Sequence, residues 1–131
     1  MPYSHDIDRD AGLGFGRCWG EVSIEDAIQA SLEMIMDERF EPGFGVVIDL
    51  REMLNMPVAD FVMQGSEHLI RLRKYLGHRV AVVARGDIAT ALELASAIVS
   101  ENGVVMQVFA EIEAARAWAS DRSESDEADA R

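Results

Sequence analysis

Positive charge is scarce in this sequence. Twelve Lys plus Arg stand against 24 Asp plus Glu, a formal net charge of −12 over 131 residues. Such a field repels nucleic-acid phosphates and anionic headgroups, so neither nucleic acid nor integral membrane association is expected. Cysteine is almost absent: Cys18 stands alone, which excludes an intramolecular disulfide. With no charged-then-apolar leader at its start, the chain is expected in the cytoplasm. Metal-ligand spacing is lacking as well. His5, His68 and His78 form no H-x-x-x-H pair and Cys18 has no second thiol near it, so neither a metal nor a cofactor is expected. Gly12, Gly14 and Gly16 do not complete G-x-G-x-x-G, because Arg17 and Trp19 stand where the last glycine belongs. No internal repeat is visible.

What is present is material for one core. Hydrophobic residues make up 49% of the chain and charged residues 27%, proportions of a folded domain rather than of a tail or a membrane span. A single domain is expected over residues 1–120, followed by a disordered acidic tail at 121–131. The segment from Ser120 onward carries −3, which leaves −9 on the body, so the acidity belongs to the fold itself.

Alternation of Tyr3, His5 and Ile7, then of Leu13, Phe15, Arg17 and Trp19, predicts a hairpin turning at Asp8-Arg9-Asp10. The opposite face of its second strand is Gly12, Gly14, Gly16, Cys18 and Gly20, small enough for a helix to approach closely. Ser23 is the N-cap of a helix with Ile24, Ile28, Ser31, Leu32 and Ile35 on one face, flanked by Met34 and Met36. Gly45 to Leu50 reads as a central strand buried on both faces. Val58, Phe61, Val62, Gly65, Leu69, Leu72 and Leu76 share one stripe of a helix with Pro57 in its first turn and Gly77 at its end. A strand at Arg79 to Ala84, a helix capped by Asp87 and closed by Asn102-Gly103, a strand at Val104 to Phe109 and a helix through Ile112, Ala115, Trp118 and Ala119 complete the chain. The order β-β-α-β-α-β-α-β-α predicts an α/β fold with a mostly parallel sheet and right-handed crossovers.

Arranged this way, the chain resembles the SpoIIAA-like family of bacterial STAS-type domains, in particular the small stand-alone STAS/SEC14-like branch. The resemblance spans about residues 3 to 120. It rests on the opening hairpin, Gly20-Glu21-Val22-Ser23, VIDLR from Val47 to Arg51, AVV from Ala81 to Val83, and VF-x-E-I-E-A-A-x-x-W from Val108 to Trp118. It implies a single-domain SpoIIAA-like fold, with a five-stranded mixed sheet and four helices, and a regulatory interaction role without enzymatic activity. One departure bears on mechanism. Regulated members are phosphorylated on a serine just after the DLS-type step that follows this strand, whereas Leu50, Arg51, Glu52, Met53, Leu54 and Asn55 follow Asp49 here. No hydroxyl stands there for a kinase to modify.

The candidate site is the segment after the central strand, Met53-Leu54-Asn55-Met56-Pro57. It is apolar although it is expected to be a loop, and it lies where open α/β sheets hold ligands. Met53, Met56 and Met63 are either core filler or an adaptable binding surface. Asp49 and Arg51 stand at the strand's carboxyl end. A receiver-type phospho-acceptor is excluded for Asp49, because the one lysine, Lys74, lies in a helix and Ala110 follows the last strand. Pairing with Arg51 is the plainer role. Arg71, Arg73, Lys74 and Arg79 form either an anion-binding cluster or cations that complement a helix C-terminus.

Three functions follow from these residues. The first is a non-enzymatic module binding a protein partner or a second copy of itself through Asp49, Arg51, Met53, Leu54, Met56 and Met63. The second is a small carrier or sensor for an apolar or anionic small molecule near the same segment. The third, an enzyme, has only Asp49, Arg51 and His68 to build on.

Overall fold

The structure, a computed structural model, describes residues 2–55, 58–76 and 78–121. Met1, Met56, Pro57, Gly77 and, of the tail expected at 121–131, every residue but Asp121 lie outside them. The hairpin forms as the alternation predicts: β1 (Tyr3–Asp8) and β2 (Leu13–Glu21) pair antiparallel with Ile7 opposite Gly14. Asp8 closes the turn by accepting the Ala11 N–H at 3.1 Å. Next comes α1 (Ile24–Ile35), whose capping box joins Ser23 and Asp26 in both directions.

The central strand β3 (Gly45–Asn55) outruns its expected end at Leu50. Met53 and Leu54 therefore stand in a strand and not in a loop. The reason is pairing: β2 is long enough to hold Glu52, Met53 and Asn55 in register with Trp19, Gly20 and Glu21.

The second helical segment also differs from expectation. It comprises α2 (Val58–Asp60), a π turn (Phe61–Gly65) and α3 (Ser66–Arg71), so the single stripe to Leu76 is interrupted in the middle and ends early. Gly65, which lacks a Cβ, closes the π turn, a rare element that often accompanies functional positions. The remaining elements are β4 (Arg79–Val83), α4 (Gly86–Ser100), β5 (Val105–Phe109) and α5 (Ile112–Ser120). Asp87 lies in the first turn of α4 rather than at its cap. The cap is Arg85, without a side-chain hydrogen bond.

The sheet order is β1-β2-β3-β4-β5, with β1 antiparallel and every other pairing parallel. Because strands β2 to β5 add in one direction, right-handed crossovers lay α1, α2–α3 and α4 on one face, leaving the other to α5. The core is divided accordingly. Cys18, Val46, Leu50, Val80, Val82 and Met106 face Ile24, Met34, Phe61, Leu92 and Val99. Leu13, Val47, Ala81 and Val83 face Ala115 and Ala119 of α5. The C-terminus of α5 has no basic residue of its own. Arg79 supplies one, donating from Nη1 to the Trp118 carbonyl at 2.7 Å.

Candidate functional site

Between α1 and the sheet the packing is incomplete, and the glycines of β2 explain where. A Cβ at Gly14 would strike Met34 Sδ at 2.9 Å and a Phe40 ring carbon at 3.0 Å, so there the small residue is matched by side chains from above. Two residues on, a Cβ at Gly16 would meet only Ile48 Cγ1, at 4.0 Å. Nothing fills that place. The result is a cavity of about 110 Å³ under α1. Its floor is Gly16, Cys18, Ile48 and Leu50, and its walls are Ile28 and Ser31 of α1, Phe61 and Gly65 of the π turn, Ser66 and His68 of α3, and Leu92 of α4. Ile28, on the predicted inner face, lines this space and is half-buried, whereas Leu32 does not line it and Met34, expected at the flank of the stripe, is buried instead.

The lining is almost wholly apolar, and its few polar atoms are placed specifically. His68 Nε2 meets Ser31 Oγ at 2.6 Å, while Ser31 donates its hydroxyl proton to the Ile28 carbonyl at 2.8 Å. With that proton committed, Ser31 accepts from His68, which places the ring hydrogen on Nε2. Burial, with a smaller contribution from the Arg71 charge, holds the His68 imidazole below its ordinary pKa and therefore neutral. Burial and the nearby Asp26 charge push the Cys18 thiol up to about 11, so it is inert as a nucleophile at neutral pH. Ser66 Oγ is buried with no hydrogen-bond partner among the described residues. On the α5 face, across the sheet from the cavity, Arg17 pairs with Glu52 at 2.7 Å and lies over the Trp19 ring.

The residues singled out from sequence fall elsewhere. Asp49 shares the parity of Val47 and so belongs to the α5 face, whereas Ile48 and Leu50 line the cavity. Arg51 holds Asp49 through Nε and Nη2 at 2.9 and 2.8 Å, and this keeps the Asp49 carboxyl below its usual range. Asp49, Arg51 and His68 are therefore not gathered into one site. Met53 is buried, Leu54 is 79% exposed and Met63 is 69% exposed, and Met56 is outside the described residues. The basic cluster is dispersed: Arg71 pairs with Glu67, Arg73 caps the Ile70 carbonyl, and Lys74 lies over Tyr75. Among the described residues no group of three His, Cys, Asp or Glu is placed to hold a metal, and no helix is long and apolar enough to cross a membrane.

The residues that line the cavity were visible in sequence only as exceptions to their surroundings. Ser31 is a polar residue on an apolar stripe, and Gly16 and Cys18 belong to a run of small residues on one strand face.

No family model and no curated protein matches the chain. Among solved structures it is similar to an uncharacterized protein of the DUF3478 family with a SpoIIAA-like fold from Shewanella loihica PV-4. The TM-score is 0.61 at 17% identity, over 89% of this chain and 93% of that one. The fold is SpoIIAA-like, with the five-stranded mixed sheet and four helical segments expected from the resemblance.

Proposed function

We propose that this SpoIIAA-like module is a carrier or sensor that binds a small apolar molecule in the cavity under α1. The supporting observation is the unfilled place above Gly16: an apolar hollow of about 110 Å³ between α1 and the sheet. Apolar cavities of about 150 Å³ in other proteins stay dry and take up benzene. The seat is thus on the other side of β3 from the Asp49–Arg51 pair. Toluene is the direct probe, titrated against the protein while chemical shifts are followed. Saturable shifts confined to residues such as Cys18, Ile28 and Leu92 are expected. Their absence at millimolar toluene removes this reading.

A second reading is favoured by the exposure of Leu54 and Met63. In it, a protein partner or a second copy docks on Leu54 at the end of β3 and on Met63 of the π turn. Replacing Leu54 by Asp then abolishes self-association or partner capture without changing the melting temperature. Unchanged association in that variant rules the surface out.

A further inference from the structure

Among the described residues, helical serines and threonines follow one habit, with one exception. Ser31, Thr90, Ser96, Ser100 and Ser120 each donate the hydroxyl proton to a carbonyl three or four residues back. Ser66 does not. It is 3% exposed, and among the described residues its Oγ has no hydrogen-bond partner. Ser66 stands directly after the π turn, and its backbone N–H reaches the Val62 and Met63 carbonyls. A buried hydroxyl left unpaired is costly, and Ser66 is part of the cavity wall.

From this we infer that the cavity's ligand carries one uncharged oxygen function, an alcohol or a carbonyl, which completes its hydrogen bonding on Ser66 Oγ. The inference rests on the reading of the cavity as a binding site and adds the chemical class of what fills it. Hydroxyl oxygen both donates and accepts, so it serves either function. A charged head group is disfavoured by the same wall. His68 Nε2 is already engaged by Ser31, and the Arg17 side chain lies on the α5 face, engaged by Glu52. A carboxylate or ammonium would be buried without a counter-charge, which is far more expensive than burying a neutral oxygen. The lining elsewhere is hydrocarbon, and the volume suits a ligand no larger than a substituted six-membered ring.

Phenol and toluene form the test pair, nearly equal in shape and differing by a hydroxyl for a methyl. Dissociation constants for both are measured by titration calorimetry at pH 7 with the wild-type chain and with Ser66→Ala. The substitution is expected to weaken phenol about fivefold, the worth of one neutral hydrogen bond, and to leave toluene unchanged or tighter. Since it removes an unpaired hydroxyl, Ser66→Ala is also expected to melt no lower than wild type. An equal effect on both probes, or no effect on either, overturns the hydrogen bond while leaving the cavity as an apolar site. A clear fall in melting temperature overturns it too, by showing that the hydroxyl is bonded within the protein. If wild type binds neither probe, the binding site itself is refuted and the inference falls with it.

Discussion

His68 and Ser31 join two helices across the cavity, imidazole Nε2 to hydroxyl oxygen at 2.6 Å, with the serine proton passed on to the Ile28 carbonyl. This chain is the polar tie between α1 and α3 over a space with little packing of its own. Ser31→Ala leaves the ring N–H of His68 without an acceptor in a half-buried place. A loss of about 1–3 kcal/mol is expected in urea unfolding. The double replacement Ser31→Ala with His68→Leu is expected to recover most of that loss, because it removes the orphaned donor along with its partner. An additive double mutant contradicts the coupling.

The same histidine gives the protein a pH response of defined sign. Its folded-state pKa is lowered by burial and by Arg71, so the unfolded chain takes up the proton first. The stability contributed by neutral His68 is present above the ordinary histidine pKa and drains as pH falls through about 6.5 toward the lower folded value. Asp49 and Asp37, both held below their usual range by arginine neighbours, respond only in more acidic solution. Urea midpoints compared at pH 7 and pH 5 are expected to fall more in wild type than in His68→Leu. Parallel falls in the two proteins refute the assignment.

Much of the fold was legible in sequence because it rests on patterns that burial enforces. Tyr3, Ile7 and Leu13 of the alternating strands, Val46, Val47 and Leu50 of the apolar run, and the stripe Ala91, Leu92, Ala95 and Val99 are all buried in the structure. The cavity was not legible, because a void is a property of what faces a residue. Gly14 and Gly16 are equivalent in sequence, and only the arrival of Met34 and Phe40 above one of them makes them different. Periodicity likewise gives no sign of the π turn. Its stripe, Phe61 and Val62 with Leu69, still points inward while the hydrogen bonding between them changes class. The extension of β3 past Leu50 was hidden for a related reason, since it depends on the length of β2.

Cys18 reports on the cavity from within. A thiol pushed up to about 11, against an ordinary 9.0, has roughly a hundredfold less thiolate near neutrality, and burial restricts access further. Alkylation by iodoacetamide at pH 8 is expected to be at least a hundredfold slower in the folded chain than in urea. Saturating toluene is expected to slow it again. Rapid labelling of the folded chain contradicts the burial, and labelling indifferent to bound toluene places the probe elsewhere.

The two glycines of β2 make opposite predictions from one substitution. Alanine at Gly14 drives a methyl into Met34 and Phe40, both buried. Overpacking of about 1–3 kcal/mol outweighs the roughly 0.4–1 kcal/mol gained by stiffening the unfolded chain, so Gly14→Ala is expected to melt below wild type. At Gly16 the new methyl enters open space above Ile48. Only the gain remains, and Gly16→Ala is expected to melt above wild type. Gly16→Val carries the argument further, since a branched side chain suits a strand and begins to fill the cavity. It is expected to stabilise the protein again while weakening toluene at least tenfold. Stability and binding are thus set against each other at a single position. A Gly16→Val chain that is more stable yet binds toluene as well as wild type would show that the probe sits somewhere other than under α1.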